Sequence, residues 1–473
     1  MLHWDSLSDK PCMKHVLAFL ILLGALLFVT IRVVSPEPYV YDEADYMYAA
    51  SLGFAANYTD TPTLSIIDFV RAGLNAGRVP SQRQALSELI RSGDDVVFYR
   101  HWHGPLYLYA LIPISRLGFS EKSVRSAMLV IPALTLTAIY FGCLWTVPGV
   151  AGFFAAIFGG LLFISSGAVT GSTELAPHHL FALISICFLF LSINFLNTGR
   201  RICWYGAVAA AALAFCTLEI AFVLILTLAV VGYRERRRIE KAKSLALFLA
   251  TVFIVWPAAI YKLSFVKGYL FMAYLALFRS SPWGNEGFFE TWRFRIVDSP
   301  LEWVAILAGL IVYFRSPARS EKRREYPILV YAALMLAATA RILTRTARYS
   351  LLFMPPLDIF AALTPPPATR RARYVATTLL AALAGLTQYS EVTRDRNRDP
   401  VPPEILKYIR QNGLEDKALL VPQGYLPMIH YYFPGTLLRG YYGAQPAASD
   451  LAGFASNGVL YPGSPVRIER PVQ

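Results

Sequence analysis

Charge is scarce in this sequence. Only 16% of its 473 residues are Asp, Glu, Lys or Arg, where a soluble chain carries about 25%. Mean hydropathy is +0.45, so an ordinary soluble domain is excluded. Strictly alternating apolar and polar runs are also missing, which excludes a membrane β-barrel. Cysteine is limited to five residues. Cys143, Cys187, Cys203 and Cys216 lie in or beside apolar stretches, and Cys12 precedes the first. Neither metal-ligand spacing nor a disulfide framework results. No internal repeat or low-complexity tract is present. No small-residue cleavage site follows the first apolar stretch, so it reads as an uncleaved anchor.

What the chain has in quantity is apolar run length. Run after run approaches the ~20 residues that cross a bilayer as a helix. The expected fold is therefore an all-α polytopic membrane protein. Lys and Arg total 44 against 31 acids, a net charge of +13. The basic residues gather in short connections between spans, the mark of cytoplasmic loops rather than of nucleic-acid binding. Arg200-Arg201, the run from Arg234 to Lys243, Arg315 to Arg324, and Arg370-Arg371-Ala372-Arg373 are read as cytoplasmic. Lys10 and Lys14 put the N-terminus inside.

The resulting map has spans at 16–34, 124–145, 150–164, 180–197, a hairpin over 204–233 turning near Thr217-Leu218-Glu219, 245–261, 301–314, 326–342, 349–363 and 374–389. That is about eleven spans by the length and charge rules. Segment 34–123 becomes a large external loop. Within it 105–117 is read as an interfacial helix, too short to span, with a short true span as the alternative. Two further external regions are 263–300, rich in aromatics, and the tail 391–473. The tail is expected to hold a helix at 402–411, a buried strand at 418–421 and a helix at 426–432, a small α/β external domain after a membrane domain of 1–390.

Polar side chains that could carry chemistry concentrate on the external side. The first loop opens with Tyr41-Asp42-Glu43-Ala44-Asp45-Tyr46. On a helix Asp42 and Asp45 are neighbours that would share a face with Tyr46. One carboxylate could act as general base with its pKa tuned by the other. An acidic first turn favoured by the helix dipole explains the same residues. The loop closes with His101-Trp102-His103-Gly104-Pro105-Leu106-Tyr107. His101 and His103 point the same way in an extended segment, which suits a divalent metal, or else they belong to an interfacial aromatic belt. Glu174 precedes Pro177-His178-His179 and serves as a helix-capping or a functional acid. Arg341, Arg345, Arg348 and Tyr349 bring positive charge to the external face, against the usual bias. An anionic headgroup or phosphate is the natural partner, and pairing with the acidic first loop is the alternative.

Three of these elements in this order resemble the GT-C membrane glycosyltransferases that use polyprenyl-phosphate sugars. They are Asp42-Glu43-Ala44-Asp45-Tyr46, His103-Gly104-Pro105-Leu106-Tyr107, and Arg348-Tyr349 followed by Pro355-Pro356. The likeness, over about 15–390, is to protein mannosyltransferases (glycosyltransferase family 39) and lipid A aminoarabinose transferases. It implies a GT-C membrane domain, a polyprenyl-phosphate-linked sugar as donor, and a lipid, glycan or protein as acceptor. It further implies a bacterial inner (plasma) membrane location with the site on the periplasmic face. Asp42 would be the catalytic base or acceptor-binding carboxylate, with Glu43 and Glu174 as further catalytic acids. His103, Arg345, Arg348 and Tyr349 would hold the donor phosphate, and Asp45, Tyr46 and His178 would support the acceptor. The sequence departs from the pattern twice. Gly104-Pro105 stands where Pro-Pro is usual, and the acid that normally directly precedes a Pro is displaced to Glu174, leaving Glu174 or His178 to replace it. A flippase or transporter, which would need charges within the spans, and a surface-glycan polymerase or ligase are the rival readings.

Overall fold

The computed structural model describes residues 11–59, 103–171, 173–261, 265–266, 269, 287–315, 325–340, 342, 346–364, 378–387, 401–441, 445, 456–461 and 467–469. Two compact units emerge. The first comprises 1–34, 125–252 and 283–394, the second 35–124, 253–282 and 395–473.

The first unit is helical. Among the described residues three helices are long and apolar enough to cross a membrane, Met13–Val33, Glu121–Thr146 and Pro177–Thr198. Phe288–Asp298 and Pro300–Arg315, bent by 92° at the Ser299-Pro300 corner, make a fourth if they are one broken span. Shorter apolar helices include Gly149–Ser165, Arg201–Phe215, Tyr326–Thr339, Met354–Leu363 and Thr378–Thr387. Each lies on an expected span. The hairpin turn occurs where the charge map put it, through a 3-10 turn at Glu219–Ala221. The first helix leaves Met13, Leu17 and Ile21 mostly exposed, as a lipid-facing surface requires.

One expected span differs. The 349–363 segment is not one helix. A 3-10 turn, Ala347–Leu352, ends at Phe353, and Met354–Leu363 begins afresh. Pro355 and Pro356 cannot donate backbone bonds, so they are tolerated only in a first helical turn, and the break falls there. The 301–314 span is found as Pro300–Arg315, and the Phe288–Asp298 helix precedes it within the segment read as an aromatic-rich external loop.

The corner at Ser299 is seated on another helix break. Gly167 follows Ser166 at the end of Gly149–Ser165, and its N–H donates to Ser299 Oγ at 3.2 Å. A Cβ on Gly167 would overlap the Asp298 carbonyl and carboxylate. Glu302 and Asp358 are fully buried nearby, their carboxyls facing each other with Ser166 and Ser299 beside Glu302.

The second unit contains the first loop and the tail. Helix Tyr41–Ser51 buries Ala44, Tyr46, Met47, Ala49 and Ala50. It packs on Leu106–Ser115 and on Leu426–Tyr432. At ten residues, Leu106–Ser115 spans about 15 Å at 1.5 Å per residue, half a hydrocarbon core. Asn57 Nδ2 ties Tyr41–Ser51 to Phe54–Thr59 through the carbonyls of Ala49 (2.7 Å) and Gly53 (2.8 Å).

The tail carries helix Val401–Gln411 and a four-stranded sheet in the order β2-β1-β3-β4. Strand β1 is Ala418–Pro422, β2 Leu437–Tyr441, β3 Gly458–Tyr461 and β4 Arg467–Glu469. β1 is parallel to both β2 and β3, while β4 is antiparallel to β3. A parallel pair needs a crossover, and Leu426–Tyr432 lies on the one between β1 and β2. The central position of β1 explains its uninterrupted Leu419-Leu420-Val421 core.

Gly167→Ala should force the Ser299 corner to move. The expected cost is that of an overpacked core, about 1–3 kcal/mol, read as a lowered unfolding temperature in detergent. Unchanged stability would show that the corner is free to shift.

Candidate functional site

The acidic motif starts a helix that has no side-chain cap. Val40 is extended at the N-cap, and Tyr41 follows with φ of 45°. Asp42 and Glu43 lie in the first turn, where the helix dipole favours negative charge. Asp42 is exposed, whereas Glu43 and Asp45 are 6% and 5% exposed. The shared outward face expected of Asp42 and Asp45 is therefore divided. The helix buries the Asp45 side against its neighbours and leaves Asp42 exposed.

Tyr46 meets Tyr107 edge to face at 5.9 Å between ring centroids. That contact joins the acidic motif to the one that begins at His103, half-buried just before the Leu106–Ser115 helix. His101 lies outside the described residues. A metal site takes about three or four donors, and among the described residues no three His, Cys, Asp or Glu side chains cluster to form one.

A second constellation forms in the first unit. Arg348 Nη1 lies 3.7 Å from Glu174 Oε1, with side chains 16% and 38% exposed. Such a loose, part-exposed pair is worth at most about 1 kcal/mol. The Arg348 guanidinium also sits over the Tyr349 ring at 5.4 Å. His178, buried in the first turn of Pro177–Thr198, packs edge-on to Tyr349 at 5.2 Å. Glu174, His178, Arg348 and Tyr349, separated by about 170 residues in sequence, thus form one cluster. Its floor is fixed by Tyr331, whose hydroxyl donates to the Leu352 carbonyl at 2.6 Å and meets Ser185 Oγ at 3.3 Å. Arg345 and Arg341 lie outside the described residues.

Arg295 was not anticipated from the sequence. It is only 3% exposed. Its Nη2 donates to the Ile342 carbonyl at 2.9 Å, while Nε and Nη1 have no acceptor among the described residues. Its guanidinium faces the Trp292 ring at 4.9 Å and the Phe353 ring at 5.8 Å. Trp292 Nε1 and Thr291 Oγ1, one helical turn away, are likewise buried without partners. Leaving a cation and its donors sealed and unanswered costs several kcal/mol. Donors of three residues on one helix face match a ligand with several oxygens and negative charge. In the sequence it is one arginine of the aromatic-rich segment 263–300, and burial is what distinguishes it.

No family model matches the chain, and no curated protein matches it in sequence. Solved structures do. ArnT from Cupriavidus metallidurans in the apo state aligns with a TM-score of 0.54 at 15% identity, over 90% of this chain and 75% of that one. The same protein bound to undecaprenyl phosphate gives 0.52 at 16% identity, with the same coverage. The apo oligosaccharyltransferase of Archaeoglobus fulgidus gives 0.53 at 13% identity, over 88% of this chain and 64% of that one. These proteins are GT-C glycosyltransferases, and the chain shares their fold.

Arg295→Met keeps most of the side-chain volume and removes the charge. Inorganic phosphate or a short-chain prenyl phosphate should stabilise the wild-type protein against heating. The variant should bind it about 10–100-fold more weakly, the value of one or two charged hydrogen bonds. Equal stabilisation of both proteins would remove Arg295 from the anion site.

Proposed function

We propose that this chain is an integral-membrane glycosyltransferase that moves a sugar from a polyprenyl phosphate to an acceptor hydroxyl at the outer face of the membrane. The observation that carries the reading is Arg295, a sealed guanidinium near Tyr349 with donors unanswered among the described residues, in a chain of GT-C fold. Its chemistry suits a phosphate leaving group. Nucleotide sugars are cytosolic, and the charge map assigns both acidic motifs to the external side, so a lipid-linked donor fits. ArnT has been solved with undecaprenyl phosphate, which supports a donor of that class here.

In this mechanism Asp42 takes the proton of the acceptor hydroxyl as its oxygen attacks the anomeric carbon. The sugar–phosphate bond breaks on the opposite side, and its electron pair leaves with the lipid phosphate. An in-line displacement of this kind inverts the anomeric centre. Arg348 and Arg295, with Tyr349 and His103, stabilise the developing charge by donors held in place before reaction. Glu174 holds Arg348 in orientation, and His178 supports Tyr349 through its ring. Glu43 and Asp45, being buried, set the field around Asp42 rather than contact the acceptor. The membrane is assigned as a bacterial inner membrane, with lipid, glycan or protein as the acceptor class.

A translocation role is the second reading. Glu302 and Asp358, two acids buried within apolar helices, are the feature that favours it, because such residues mark transport pathways in other membrane proteins. Reconstituted vesicles separate the two, since a transporter moves the lipid-linked sugar without cleaving it.

Asp42→Ala and Asp42→Asn should each lower sugar transfer by about 10²–10⁴-fold. Folding should be unaffected, because Asp42 is exposed. The measurement is release of polyprenyl phosphate from a panel of undecaprenyl-phosphate sugars, with envelope fractions as acceptor. Near-normal release by both variants would overturn the role given to Asp42.

A further inference from the structure

Tyr41 is the only non-glycine residue with a positive φ among the described residues. A left-handed backbone is unfavourable for a tyrosine, and such conformations persist only where the surroundings hold them. Local capping does not do so. Val40 offers no side-chain acceptor, and the Glu43 N–H bonds the Val40 carbonyl at 3.0 Å. Nor is the ring sunk into a core, for Tyr41 is 47% exposed.

What does touch it comes from the tail. The Tyr425 ring lies 5.9 Å from the Tyr41 ring, tilted by 33°. Gly424 lies directly beneath it. A Cβ at position 424 would stand 2.9 Å from Tyr41 Cε1 and 3.4 Å from Cδ1, so any other residue there must displace the ring. Both flanks are fastened to the helix that follows this turn. Tyr39 N–H donates to Tyr432 Oη at 3.0 Å, and that hydroxyl donates to Glu121 Oε1 at 2.7 Å. Burial and the Glu121 carboxylate push the Tyr432 pKa well up, so the hydroxyl stays protonated and the bond holds through the neutral range. On the far side Tyr48 packs against His430 at 4.2 Å. The strained residue therefore sits between two anchored points, with Gly424 and Tyr425 against its ring.

We infer that the Gly424-Tyr425 turn after β1 is a positioning element for the reaction. It clamps Tyr41 in its left-handed conformation and so fixes the direction in which the helix starts and Asp42 points. The inference rests on the reading of Asp42 as the base. Tyr41 and Gly424 touch no reacting atom, and their effect passes through the backbone. An Asp42 carboxylate misplaced by about 1 Å can lose of the order of 10²-fold in rate.

The test is a double-mutant cycle on the full-length protein in detergent or vesicles. Gly424→Ala should speed hydrogen–deuterium exchange in the peptide covering 40–48. It should lower kcat at least about tenfold, with KM for an undecaprenyl-phosphate sugar within about twofold. Tyr41→Asn removes the ring and accepts a positive φ. The Tyr41→Asn/Gly424→Ala double variant should therefore match Tyr41→Asn alone in both exchange and kcat, a non-additive result. Unchanged exchange in Gly424→Ala overturns the clamp. A loss that Tyr41→Asn does not absorb also overturns it, because the turn would then act through general docking of the tail. Asp42→Asn is measured alongside. If it is inactive while Gly424→Ala is fully active, the clamp alone fails. If it is active, the role of Asp42 fails instead, and exchange still reports on the clamp.

Discussion

A charged or hydrogen-bonding group in low-polarity surroundings must find a partner or hold a function, and most of what is distinctive in this protein follows from that constraint. The helices are apolar enough that each buried polar group stands out. Tyr331 is answered by the Leu352 carbonyl, which fixes the 3-10 turn carrying Arg348 and Tyr349. Among the described residues Arg295 is answered only in part. In water an incompletely paired guanidinium is unremarkable, but sealed between Trp292 and Phe353 it costs several kcal/mol unless an anion completes it. The same arithmetic makes the buried Glu302–Asp358 pair conspicuous beside the Ser299 corner.

Helix starts supply the second theme. The helices beginning at Tyr41, Leu106 and Pro177 have no side-chain cap, and each carries functional candidates in its first turn or just before it. A cap formed by Ser, Thr or Asp would set such a start locally. Without one, the geometry of the first turn is left to contacts made elsewhere in the fold. The Tyr46–Tyr107 contact and the tail contacts on Tyr39, Tyr41 and Tyr48 play that part for the acidic motif. The tail thus matters to the Tyr41–Ser51 helix through the Gly424-Tyr425 turn and the Leu426–Tyr432 helix, by aromatic packing and a hydrogen bond.

The fold is shared with proteins at 13–16% identity. Lipid-facing positions ask only for apolar side chains, so those residues drift freely while length and order of helices are kept. Short polar motifs then carry most of the recognisable signal, which is why three elements in the right order pointed to the GT-C fold when no family model did.

Hydropathy and charge by themselves determined where most of the apolar helices lie, because span length and the Lys/Arg bias are set by the bilayer and not by neighbours. The hairpin turn at Glu219, the helix at Leu426–Tyr432 and the strand at Ala418 were legible for the same local reasons. Strands β2 and β3 were not, since their pairing with β1 joins residues 19 or more apart in sequence. Nor could periodicity separate Asp42 from Asp45. Both sit on neighbouring helical positions, and only packing decides which is open. The 92° bend at Ser299 arises where Gly167 lets two backbones meet, and the left-handed Tyr41 arises where Gly424 leaves room for its ring. Arg295 looks like any surface arginine until the fold closes over it. Local sequence sets what a segment can be, whereas burial, strain and unmet hydrogen bonds are properties of neighbours brought from far along the chain, and these only the tertiary structure decided.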